Sequence, residues 1–190
     1  MFFAELRKRS GVSARALEFC ILSSSRTYEI ITMEWRDYHD GVWTVPSIKM
    51  KEGKPHRVQL SKAAIAILDK MRRLYLDKRI VFPSETKPHT AMSNMAMLNL
   101  VARMGYKNRT TVHGLARGSF SAWAYSQQKW SEDVIECCLA HKEADRVKRA
   151  YSEGRDLQAF TGKVWAAWAD YIYAKADKQR KRSNFRAIKA

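Results

Sequence analysis

Apolar residues recur every three or four positions along most of this chain, and that spacing predicts one helix after another. Ala14, Leu17, Ile21 and Leu22 mark one face of a segment over 14–23, which the polar run Ser23-Ser24-Ser25 ends. From Trp35 to Leu60 the pattern changes. Val42-Trp43-Thr44-Val45 and His56-Arg57-Val58-Gln59-Leu60 are β-rich, with Asp40-Gly41 before them and Glu52-Gly53-Lys54-Pro55 between them. That turn chemistry predicts a small antiparallel sheet of about three strands. Helical spacing returns after Ser61, an N-cap residue, with Ala64, Ile67, Leu68, Met71 and Leu74 on one side and Lys70, Arg72 and Arg73 elsewhere. Val81-Phe82-Pro83-Ser84 reads as a short extended piece and 85–90 as a loop, ahead of a helix over 93–104. Further helices are predicted over 114–127, 131–139, 143–152 and 157–178. The last carries Phe160, Val164, Trp168 and Tyr171 as a stripe that needs a partner surface. The expected fold is α+β, mostly α-helical with a small three-stranded antiparallel sheet.

Charge narrows the function. Lys and Arg outnumber Asp and Glu by 35 to 19, a formal charge of +16 on 190 residues that favours a polyanionic partner, nucleic acid first. With 46% hydrophobic residues and six Trp, the chain can fill one core, and its length fits a single domain. Trp and the methionines of 92–97 read as core. The segment 175–190 holds seven Lys or Arg against one acid, a basic tail that is either solvated or laid on DNA. Cys20, Cys137 and Cys138 lack zinc spacing and read as reduced residues of a cytosolic protein. No stretch approaches the roughly 20 apolar residues of a membrane span, and the N-terminus does not read as a secretory signal.

The chemistry concentrates in a few places. Arg26, His113-Gly114-Leu115-Ala116-Arg117, Leu139-Ala140-His141 and Tyr151 together read as a phosphate-handling site built around a tyrosine nucleophile. Guanidinium is the side chain whose planar fork pairs with phosphate at two points. Each residue also has a plainer role: a half-buried tyrosine, an arginine on the free carbonyls of a helix end, a histidine cap, a histidine charge at a helix C-terminus. His39, His56 and His89 have no metal-ligand spacing, so neither metal nor cofactor is expected. Glu29 is read as holding a nearby strand or the arginine.

Order and spacing carry a resemblance. Ala14-Arg15-Ala16-Leu17-Glu18-Phe19 leading to Ser25-Arg26-Thr27-Tyr28-Glu29 resembles the first arginine box of the tyrosine recombinases, in particular the phage integrases of prophages and islands. Trp43-Thr44-Val45-Pro46 through Lys49-Met50-Lys51 to His56-Arg57-Val58-Gln59-Leu60-Ser61 resembles their lysine-bearing hairpin. Thr111-Val112-His113-Gly114-Leu115 resembles the second box, Leu139-Ala140-His141 with Tyr151 closes the pattern, and Trp168-Ala169-Asp170-Tyr171 resembles the helix after the nucleophile.

The resemblance implies the recombinase catalytic-domain fold and a metal-free transesterification. Its catalytic set is Arg26, Lys51, His113, Arg117, His141 and Tyr151, with Tyr151 as nucleophile, His113 as base and Lys51 as general acid. The implied partner is double-stranded DNA at attachment sites, bound by a homotetramer on paired sites with directionality factors; the isolated domain is expected to be a monomer. Such integrases carry core-binding and arm-binding domains ahead of the catalytic one, and neither fits in the thirteen residues before Ala14. The expected division is therefore a catalytic domain over 1–178 and a basic tail over 179–190. Alternative readings are a DNA-binding remnant without catalysis and a type IB topoisomerase-like activity.

Two positions depart from the family pattern. Arginine usually stands three places after the second-box histidine, where this chain has Ala116; Arg117, Phe120 and Trp123 all come one place late. One residue of slip turns a helical side chain by about 100°, so Arg117 reaches the site only if the backbone leaves the ordinary helical path. Tyr28 stands where glycine is common.

Overall fold

The computed structural model describes residues 2–51, 53–87, 89–141 and 157–188. Helix α1 (Phe2–Leu6) leads through Gly11 to α2 (Val12–Ser23), which is buried along nearly its whole length. A short helix, α3 (Thr27–Ile31), follows the Ser23-Ser24-Ser25 run that ends α2. The sheet is antiparallel in the order β1 (Tyr38–His39), β2 (Val42–Val45) and β3 (His56–Gln59), pairing Tyr38 with Trp43 and Trp43 with Val58. Asp40 and Gly41 both take positive φ, 46° and 79°, the two-residue hairpin geometry whose twist matches that of its strands. Helix α4 (Lys62–Leu74) starts where Ser61 caps it, the Ser61 hydroxyl accepting from the Ala64 N–H at 3.3 Å. Its apolar face buries Ala64, Ile67, Leu68 and Met71.

Helix α5 (Ala96–Val101) runs into a wider turn over Ala102–Tyr106, closed by Gly105 at φ 85°. A π-helical turn over Gly114–Gly118 then feeds α6 (Ser119–Ser126), and α7 (Glu132–Leu139) follows. The last described element is α8, Leu157–Ile188. The backbone thus stays helical ten residues beyond the expected end at 178, through an Arg- and Lys-rich stretch most of whose residues are good helix formers. The helix expected over 143–152 lies outside the described residues.

One continuous core joins these parts. Phe19 of α2 meets Trp43 of the sheet and Phe82 at ring-centroid distances of 5.6 and 5.5 Å. On its other side, α8 lays Trp165 flat on Phe120 at 4.7 Å and sets Trp168 against Trp123 at 5.1 Å. The buried face of α8 is Val164, Trp165, Trp168, Ala169, Ile172 and Ala176, and the partner surface that the stripe required is made by β3, α1 and α7 together with α2 and α6, while Tyr171 sits at its exposed rim. The Trp168 indole N–H donates to the Ile21 carbonyl at 2.8 Å, fastening α8 to the last turn of α2. Beside β3, Gly162 lets α8 approach closely: a Cβ there would lie 2.9 Å from Gln59 Cγ. Of the methionines over 92–97, Met92 and Met97 are buried, but Met95 is exposed at the first turn of α5 and does not join the core.

Replacing Ser61 by Ala removes the side-chain N-cap of α4 and should lower stability by about 1 kcal/mol, measured by urea denaturation; an unchanged midpoint would show that the cap contributes nothing.

Candidate active site

Two helix ends define the site. Helix α2 finishes with Ser24 in the left-handed region at φ 49°, and α7 finishes with Ala140 there at φ 52°. In each, the next N–H folds back over the last turn, from Ser25 to the Cys20 carbonyl at 3.3 Å and from His141 to the Glu136 carbonyl at 3.1 Å. This closure normally uses glycine; an L-residue with a Cβ holds it at a cost of roughly 1 kcal/mol. The payoff is directional. The first turn delivers the chain to Arg26 and the second to His141.

Arg117 lies between the two ends and is 5% exposed. Its Nη1 donates to the Ser24 carbonyl at 3.1 Å, and its Nη2 donates to the Leu139 carbonyl at 2.6 Å and to His141 Nε2 at 2.9 Å. A cation on two C-terminal carbonyl rims is favoured by both helix dipoles. Burial first, and then the Arg26 charge, pull its pKa down to about 10, while Glu29, Cys20 and Glu136 push the other way. At neutral pH it remains a cation.

The π turn brings Arg117 to this position. Within Gly114–Gly118 the Ser119 N–H reaches back to the Gly114 carbonyl, five residues earlier, instead of four. Such a turn accommodates one extra residue in an otherwise α-helical run. Ala116 is fully buried in the core, Arg117 reaches the helix ends, and Phe120 and Trp123 still enter the core. The backbone departure that the shifted arginine demanded is present.

The other expected residues fall into place unequally. Arg26 occupies the N-cap of α3; its backbone N–H and its Nη1 donate to the two carboxylate oxygens of buried Glu29, at 2.9 and 2.8 Å. Of the two roles read for Glu29, it takes the arginine. His113 stands exposed at the start of the π turn. Lys51 is exposed on the β2–β3 connection, whereas Lys49 is committed, donating to Asp37 Oδ2 at 2.7 Å and the Thr32 carbonyl at 2.6 Å. That contrast separates two lysines the sequence left side by side. Tyr28 is 58% exposed, so it does not crowd Arg26 from inside the fold. Tyr151 lies outside the described residues. Among the described residues, no three His, Cys, Asp or Glu side chains form a metal-binding group, and no helix is long and apolar enough to cross a membrane.

The geometry thus gathers Arg26, Arg117 and His141 at one place, on the elements that carry the sequence boxes. Residues 2–157 match the phage integrase family model. The chain belongs to the phage integrase family. It is 31% identical over 157 residues to prophage integrase IntA of Escherichia coli strain K12, covering 81% of this chain and 37% of that protein. It is 27% identical over 194 residues to the integrase of Enterobacteria phage P4, covering 90% of this chain and 43% of that protein. Prophage integrase IntZ of the same E. coli strain is 33% identical over 145 residues, covering 74% of this chain and 35% of that protein. The chain therefore spans about two fifths of the length of these relatives. No solved structure matches it significantly.

In this chain, sequence reasoning missed the two helix-end carbonyls that bind Arg117, because a carbonyl leaves no residue signature. It also missed Glu136, whose carboxylate lies 2.6 Å from His141 Nδ1. Its position five residues before His141 was the available signal.

Arg117→Ala strips two buried carbonyls of their donor and should cost about 2–4 kcal/mol in chemical denaturation, well beyond Arg26→Ala at the more exposed N-cap. Equal losses for the two variants would contradict the tie between the helix ends.

Proposed function

We propose that this chain is the catalytic domain of a site-specific DNA recombinase that cleaves and rejoins strands through a 3′-phosphotyrosyl intermediate, for integration or excision of a phage or genomic island. The observation that carries the reading is the convergence of Arg117, Arg26 and His141 at the ends of α2 and α7, in a chain of the phage integrase family. The Arg26 charge pulls the Arg117 pKa down, so the two cations repel each other in the free protein, and a phosphodiester bound by both would offset that repulsion.

The Tyr151 hydroxyl attacks phosphorus. A phenol with an ordinary pKa near 10 needs a base for this, and His113, exposed at the start of the π turn, takes its proton. Negative charge builds on the non-bridging oxygens of the pentacoordinate state, where Arg26 and Arg117 stabilise it more than they stabilise the ground state. When DNA binds, His141 Nε2 leaves its contact with Arg117, takes up a proton from solvent and donates a hydrogen bond to the same phosphate. The bond to the 5′ oxygen breaks and Lys51 supplies that oxygen's proton; its exposed place on the hairpin leaves it available, as Lys49 is not. The tyrosine–phosphate ester keeps the bond energy, so a second 5′-hydroxyl can religate without ATP.

Because the chain spans about two fifths of its relatives, we assign core-binding and arm-binding domains to a longer parent, and tetramer assembly on paired attachment sites with directionality factors to that parent. Such a protein works on cytoplasmic DNA, and the +16 charge supports sequence-independent phosphate contact.

The decisive experiment incubates the chain, alone and within its parent, with a nicked suicide duplex in EDTA. A protein–DNA band that survives denaturation and vanishes in Tyr151→Phe is expected. If the parent forms no band on its own site, the chain is not an active recombinase.

A further inference from the structure

Glu136 is unused in the chemistry above, yet both of its carboxylate oxygens are engaged at the site. Oε2 lies 2.6 Å from His141 Nδ1, and Oε1 accepts from the Tyr125 hydroxyl at 2.9 Å. Tyr125 stands on α6, the helix into which the π turn runs, and Glu136 stands on α7. A single chain of polar contacts therefore runs from Tyr125 through Glu136 and His141 to Arg117.

Donor and acceptor chemistry fixes the ring. A guanidinium has only N–H donors, so His141 Nε2, 2.9 Å from Arg117 Nη2, must accept. An ionised carboxylate only accepts, so Nδ1 must carry the proton. The ring is therefore held in one tautomer and one orientation, with Nε2 facing the guanidinium. The His141 side chain is 44% exposed, and exposed polar pairs contribute little to folding. What the contact controls is direction, in the way a carboxylate on the far nitrogen orients a histidine whose near nitrogen works.

We infer that Glu136 is a positioning residue of the transesterification site. It holds His141 with Nε2 turned toward Arg117 and toward the phosphate that Arg117 would bind, while Tyr125 fixes the carboxylate itself. This rests on the recombinase reading, but its first test does not.

The test pairs nitrogen NMR of His141 in the 190-residue chain with single-turnover formation of the covalent complex on saturating suicide DNA. Wild type should show protonated Nδ1 and unprotonated Nε2. Glu136→Gln keeps an oxygen that can accept from Nδ1 and should keep the tautomer, with cleavage within about threefold of wild type. Glu136→Ala should mix the tautomers and slow the single-turnover step about 10- to 100-fold, with half-saturating DNA changed less than about twofold. Protonated Nε2 in DNA-free wild type, wild-type cleavage by Glu136→Ala, or equal losses in the Gln and Ala variants would each overturn the inference. Were wild type to form no covalent complex either alone or within its parent, the recombinase reading would fail, and the nitrogen shifts of wild type and Glu136→Ala would still decide the orientation of the ring.

Discussion

A buried guanidinium held between two helix C-termini is the constraint on which the rest depends. Arg117 donates to Ser24 at the end of α2 and to Leu139 at the end of α7, so one side chain fixes the distance between elements far apart in sequence. Taking that cation out of water is costly, and two sets of terminal carbonyls repay it because they are themselves unsatisfied and carry the negative ends of two helix dipoles. The elements so joined are those that release Arg26 and His141 into the same space. Folding and site assembly are therefore one event: the contact that closes the core also gathers the cations.

The π turn shows how a sequence irregularity is absorbed where geometry matters. An ordinary α-helix over 114–118 would turn Arg117 away from the helix ends by about 100°. The wider turn takes up the additional residue as Ala116, which is small enough to be buried, and returns Phe120 and Trp123 to their places against Trp165 and Trp168. Those aromatic contacts fix α6 against α8 on the far side of the turn. The helix must therefore accommodate the irregularity over a few residues, in the segment between His113 and Ser119.

Much of this was legible in the sequence, for physical reasons. The sheet was visible because Asp40-Gly41 and the β-rich runs are local signals, and α4 because Ser61 and an apolar face agree with each other. The order of the boxes led to Arg26, Arg117 and His141, and the structure brings these three together. Other features depended on long-range or backbone chemistry that composition does not encode. Lys49 and Lys51 look alike until Asp37 and the Thr32 carbonyl claim the first. The left-handed Ser24 and Ala140 carry none of the glycine signal that usually marks such a cap. Helix α8 outran its apolar stripe because its last turns are sustained by propensity, and a period in hydrophobicity cannot report that.

The central claim is that the ends of α2 and α7 hold one phosphate between Arg26, Arg117 and His141. The most direct measurement is a crystal structure of the chain with a nicked duplex and orthovanadate, which adopts the five-coordinate geometry of a phosphoryl transition state. The account predicts vanadate oxygens within hydrogen-bonding distance of both guanidiniums and of His141 Nε2, with the Tyr151 oxygen at an apical position. Vanadate bound elsewhere, or Arg117 turned wholly toward Ser24 and Leu139 with no oxygen in reach, would contradict it.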